Sequence, residues 1–180
     1  MFNQQIVAEN FFLKDVNALR DSVKPYLSAA PSADPTPSIA LLQTVLAAEI
    51  VCVLRYTMIS VSHDGLQNAW IGTEFQEQAN DERKHMTMAA KRIQQLGGTP
   101  NFNPPGLTSR AAGPGTYDGN FAKQVNENLE AEQSVIAHYR DLITYFAPRD
   151  AQTCAMLEDI IRDEEDHTRD MADLLGAYSG

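Results

Sequence analysis

The chain has 180 residues, 43% of them apolar, and carries 24 acidic side chains against 14 basic ones, for a net charge of −10. That length suits one compact soluble domain, and the acidic excess argues against a general nucleic-acid binder or a protein that docks on an anionic membrane. Two cysteines are too few for a disulfide-stapled secreted scaffold, MFNQQIVAENFFLKD lacks the pattern of a signal peptide, and no apolar run reads as a membrane span, so a cytoplasmic location is expected.

From Val7 to about Leu27 the spacing of Phe11, Leu13, Val16, Leu19 and Val23 is helical and stops near Pro25. SAAPSADPTP (28–37) follows as a linker, so residues 1–36 form an N-terminal helical extension with its tether. Thr36-Pro37 reads as an N-cap followed by proline in the first turn. The helix it opens runs to about His63, where HDG supplies a stop. A second long helix is expected from about Leu66 to Leu96, closed by Gly97-Gly98. The glycine- and proline-rich stretch 97–118 can only be a long connection. Asp118 is expected to cap a third helix reaching Phe146, and Asp150 a fourth ending near Gly176. Short, long and short connections in that order predict an all-α four-helix bundle over residues 37–180. Its long crossover joins helices two and three, and an extra N-terminal helix precedes it.

The apolar stripes of these helices carry charges where a core belongs. They read Leu42, Val45, Glu49, Cys52, Tyr56, Ile59 in the first, and Ile71, Phe75, Gln78, Glu82, His85, Ala89 in the second. The third gives Phe121, Val125, Leu129, Glu132, Ile136, Tyr139, Ile143, Phe146, and the fourth Leu157, Ile160, Glu164, His167, Met171, Leu174. A carboxylate in an apolar seam must be protonated, paired or bound to a cation. Four at one level repel one another, and two divalent cations would cancel them. Carboxylate oxygens with one imidazole per metal suit iron or manganese, and Glu-x-x-His projects both side chains from one helix face. The order Glu, Glu-x-x-His, Glu, Glu-x-x-His on four successive helices is that of ferritin-like di-iron proteins.

At AAEIVCVLRY (47–56), DERKHMTMAAKRIQQLGG (81–98), LEAEQ (129–133) and IIRDEEDH (160–167) the chain resembles the bacterioferritin branch of the ferritin-like superfamily, and in some features its Dps-like subgroup. The resemblance implies that Glu49 and His85 bind one iron, Glu132 and His167 the other, and that Glu82 and Glu164 bridge the two. It implies ferroxidation of Fe²⁺ by O₂ or H₂O₂ and a ferric core inside a hollow shell. Arg83 stands where bacterioferritins place a haem-ligating methionine, so no haem is expected, and Ser134 stands where thermophilic Dps-like relatives place a cysteine. With 13 residues after His167, no C-terminal fifth helix is expected, which favours a shell of 12 subunits. Competing readings are a rubrerythrin-type peroxidase without storage, a manganese catalase, and a DNA-protecting shell.

Tyr56, seven residues after Glu49, is either a site tyrosine that bonds a bridging glutamate or donates an electron, or a core residue. Tyr139 has the same two readings. Trp70 either quenches oxidative intermediates or packs. Cys52 is expected to be a buried thiol near the metals, roughly 20 Å from Cys154 by helix rise, too far for a disulfide. His63 reads as a solvated helix end or part of an interface or pore. His138 is expected at the surface, and Glu130 and Glu165 are expected to point away. Residues 1–30 balance Lys14, Arg20 and Lys24 against Glu9, Asp15 and Asp21, so strong DNA binding is not expected. This helix is expected to pack on the shell or at a subunit contact.

Overall fold

The computed structural model describes residues 11–29, 33–63, 69–103 and 120–178. Among them are five helices and no strand: α1 (Phe11–Leu27), α2 (Thr36–His63), α3 (Ala69–Gln95), α4 (Phe121–Phe146) and α5 (Ala151–Tyr178). The expectation of a fold without a C-terminal fifth helix is corrected, because the fifth helix of the chain stands at its C-terminus. That expectation counted from Thr36 and left α1 out. The residues after His167 continue α5 unbroken to Tyr178, with Met171 and Leu174 buried. The argument from a missing helix to a shell of 12 subunits falls with it.

Helix ends follow from local chemistry. At α2 the Thr36 amide donates to Asp34 Oδ1 at 2.9 Å, so Asp34 supplies the side-chain acceptor expected of Thr36. Pro37 falls in the first turn, where its missing N–H costs nothing. α3 closes in a Schellman motif: the Gly98 amide donates to Ile93 O and the Gly97 amide to Gln94 O, both at 2.9 Å. Gly97 takes φ +83°, and a Cβ on Gly98 would meet Ile39 Cγ2 at 2.8 Å, so both positions require glycine. α4 is capped by Asn120, whose side chain accepts from the Lys123 amide at 3.0 Å. The expected cap, Asp118, lies outside the described residues, as does the connection from 104 to 119. Asp150 caps α5 through the Thr153 amide at 3.0 Å and also receives Arg92 of α3 at 2.7 Å.

α2 packs along α3 and α4 along α5, while α1 lies across α4. Leu42, Leu46, Ile59, Phe75, Phe146 and Leu157, each at most 1% exposed, fill the bundle above and below the charged level. By length and composition alone α2 is apolar enough to cross a membrane, against expectation. Half of that stretch is buried in the bundle, and Glu49 sits in its middle.

The N-terminal helix packs on its own bundle. Val16 and Val23 are buried, Arg20 pairs with Asp141 at 3.0 Å, and Ser134 donates to Asn17 at 2.6 Å. Pro25 lies inside α1 instead of ending it. This packing overturns the surface placement of His138, which is 1% exposed with Nε2 3.3 Å from Thr44 Oγ1. Burial, with a smaller push from Arg20 and an opposing pull from Asp141, lowers its pKa to about 4.

Candidate metal centre

Four helices each place one carboxylate at mid-bundle. Glu49, Glu82, Glu132 and Glu164 are at most 1% exposed, and His85 and His167 at most 4%. Both histidines turn Nδ1 inward. His85 Nδ1 lies 3.6 Å from Glu49, 3.4 Å from Glu82 and 3.2 Å from Glu164. His167 Nδ1 lies 3.3 Å from Glu82 and 3.0 Å from Glu164. Glu82 turns Oε2 to His85 and Oε1 to His167, and Glu164 turns Oε1 to His85 and Oε2 to His167. Each of these two carboxylates therefore spans both imidazoles. Ligand atoms of Glu49, Glu82, His85 and Glu164 lie within 4.8 Å of one another, as do those of Cys52, Glu82 and Glu132.

The outer edges of the imidazoles face aspartates from the opposite helix, and one of the two makes a hydrogen bond. His85 Nε2 meets Asp163 at 3.0 Å, and His167 Nε2 lies 3.7 Å from Asp81. The sequence reading stopped at Glu-x-x-His and missed these two. Their signal was present, since both motifs are Asp-Glu-x-x-His (81–85 and 163–167). A carboxylate on one ring nitrogen fixes the tautomer and aims the other lone pair.

The tyrosines cross the bundle reciprocally. Tyr56 of α2 donates to Glu132 of α4, and Tyr139 of α4 donates to Glu49 of α2. Tyr56 thus bonds a glutamate expected to be terminal, not a bridging one, and Tyr139 belongs to the site. Burial first, then the carboxylates, pushes both phenols well up, which keeps them protonated donors.

Without metal, protons balance the cluster. Burial, then Glu164 and Glu49, pushes the Glu82 carboxyl well up, and burial with Glu164 raises Glu132 to about 8. Burial also acts to raise Glu164, but hydrogen bonds from His167 and His85 overcome it and hold it at about 2. Burial opposes charge on the histidines, yet the same carboxylates win, raising His85 and taking His167 to about 11. Like charges this close cannot all ionise without cations among them. Glu132 Oε2 and His167 Nε2 are buried without hydrogen-bond partners. Oxygen and imidazole donors converging on a level with an orphaned carboxylate oxygen fit divalent iron or manganese.

Other candidates fall elsewhere. His63 is buried, with Nδ1 3.0 Å from Ile59 O and its ring on Phe121, not at a solvated end. Trp70 is 48% exposed. Glu130 is exposed, and Glu165 turns outward to Arg140. Cys52 and Cys154 are free thiols, the first buried.

The model of the ferritin-like domain family matches residues 39–179. No curated protein matches the chain by sequence. Solved structures resemble it in fold. A dodecameric thioferritin, the bacterioferritin-related protein of Bacteroides fragilis, is 23% identical with a TM-score of 0.75 over 93% of each chain. The bacterioferritin of Desulfovibrio desulfuricans, a protein with a diiron site, is 20% identical with a TM-score of 0.72 over 82% of this chain and 84% of its own. A Dps protein from Vibrio cholerae is 18% identical with a TM-score of 0.72 over 82% and 99%.

Proposed function

The chain belongs to the ferritin-like domain family, and on that premise we propose that it is a ferroxidase that oxidises Fe²⁺ to Fe³⁺ at the buried Glu/His cluster and stores the ferric product. The observation that carries this reading is the disposition of Glu82 and Glu164, each offering one oxygen toward His85 and the other toward His167. Glu49 and His85 would hold one Fe²⁺, Glu132 and His167 the other, with Glu82 and Glu164 between them. Two Fe²⁺ cancel four carboxylates, so the substrate removes the electrostatic conflict of the metal-free site. The anionic oxygens then favour Fe³⁺ over Fe²⁺, which drives the reaction forward.

Each Fe²⁺ gives up one electron. With H₂O₂ the two electrons and two protons yield two waters, and with O₂ they yield H₂O₂. Asp163 keeps the Nδ1 lone pair of His85 aimed inward, Asp81 stands ready to do the same for His167 once metal draws the ring in, and binding releases the imidazole protons. Tyr56 and Tyr139 steady Glu132 and Glu49 by donating to one oxygen of each, leaving the other oxygen for metal.

Assembly into a hollow shell of 12 copies rests on the likeness to the dodecameric relative along 93% of both chains. The acidic excess would draw Fe²⁺ to such a shell. Aerobic addition of Fe²⁺, with ferric absorbance followed and iron then counted, tests the reading. Hundreds of irons per assembly support storage. Two per subunit with rapid H₂O₂ consumption would point instead to a peroxidase, and a retarded plasmid band without iron oxidation to a DNA-protecting shell.

A further inference from the structure

The buried thiol of Cys52 has no part in the reaction above. Cys52 lies one turn after Glu49 on α2, is 2% exposed, and places Sγ 3.8 Å from Glu132 Oε1. Its sulfur and one oxygen each from Glu82 and Glu132 lie within 4.8 Å of one another. Glu132 Oε2 is buried without a hydrogen-bond partner, so this corner of the centre holds an unused acceptor. The corresponding position on α4, three residues after Glu132, is Val135, also buried. Packing at this level therefore asks only for a modest apolar side chain, and the sulfur is not explained by volume.

We propose that Cys52 is a further metal ligand, giving the Glu132 side of the centre a thiolate beside Glu82 and Glu132 and a preference for thiophilic divalent cations. On ligation the Sγ–H bond breaks and an Sγ–metal bond forms. The thiol proton is released to solvent together with those the metal displaces from the carboxyls and imidazoles, and no electron changes hands. The Glu49 side has no such donor, so the two metal positions differ in chemistry. This inference rests on the two-metal reading of the cluster.

The test is an anaerobic Co²⁺ titration of the full chain and of the Cys52→Ser, Cys52→Ala and Cys154→Ser variants. Visible cobalt bands report occupancy by carboxylate and imidazole, while a near-ultraviolet charge-transfer band reports thiolate. The parent and Cys154→Ser are expected to show both. Both Cys52 variants are expected to keep the visible bands, lose the charge-transfer band, and bind Cd²⁺ about tenfold more weakly or worse. Their Mn²⁺ affinity should stay within about twofold, since manganese prefers oxygen donors. Cobalt bound by the parent without a charge-transfer band, or a band that survives Cys52→Ser, overturns the thiolate and leaves the two-metal reading standing. No cobalt uptake by the parent overturns both. Circular dichroism of the two Cys52 variants, one of them near-isosteric, separates lost ligation from lost folding.

Discussion

On one side of the centre His85 Nε2 meets Asp163 at 3.0 Å, whereas on the other His167 Nε2 stands 3.7 Å from Asp81 and makes no hydrogen bond. Glu49 accepts from Tyr139, but Glu132 accepts from both Tyr56 and Cys52. The two sides share one plan: a glutamate with a tyrosine seven residues later, and an Asp-Glu-x-x-His motif, repeated on α2–α3 and α4–α5. Repetition accounts for a centre able to hold two like charges. The differences show that the imidazole is held the more firmly on the Glu49–His85 side, while the terminal carboxylate has more donors on the Glu132–His167 side. Outside the centre the asymmetry grows, since α1 covers α4 while Leu54 and Val61 on the outer face of α2 remain exposed.

The largest effect is expected where the two sides meet. Glu82→Ala combined with Glu164→Ala should reduce the Fe²⁺ oxidation rate, read as ferric absorbance, to that of iron in buffer. A loss confined to half the sites would mean that the sides work independently.

The cover of α1 over α4 gives the next effect. His138 titrates near 6.5 in an unfolded chain and at about 4 in the fold, so between these values the unfolded chain binds more protons. His138 alone therefore removes about 3 kcal/mol of stability as pH drops from about 6.5 to 4, opposed by Glu82 and Glu132, whose raised carboxyls hold more protons folded than unfolded over most of that range. In denaturant melts across this range the stability of the parent relative to His138→Gln should fall by about 3 kcal/mol as pH drops; a difference that does not change with pH would contradict the buried neutral imidazole.

A smaller effect sharpens the comparison itself. Asp163→Asn should weaken anaerobic Co²⁺ binding by about 10–100-fold, the usual cost of losing a partner that orients a ligating histidine. Asp81→Asn, starting from a longer contact, should cost less. Equal losses in calorimetric titrations would show that binding tightens both sides to the same geometry. Smallest of all, Arg20→Ala should lower stability by under about 1 kcal/mol, because its pair with Asp141 is partly solvated.

What could be read from the sequence was whatever repeats along a helix. Glu49, Glu82, Glu132 and Glu164 interrupt otherwise apolar stripes, and burial of those stripes brings the carboxylates to one level. What escaped depends on contacts between helices distant in sequence. His138 looked like a surface residue because its stripe is buried by α1, more than a hundred residues earlier. Asp81 and Asp163 lie beside the ligands in sequence but act on the opposite helix, which no single periodicity reveals. The C-terminal helix is legible from Asp150 to about Gly176, but a count that starts at Thr36 makes it the fourth, whereas α1 packs as part of the fold and makes it the fifth.

The most direct test of the two-metal centre is an anaerobic Fe²⁺ titration of the parent by equilibrium binding, with Glu82→Ala/Glu164→Ala as the comparison. Two tightly bound Fe²⁺ per subunit in the parent, lost in the double variant, is the predicted result. One Fe²⁺ per subunit, none, or two that survive both substitutions would contradict it.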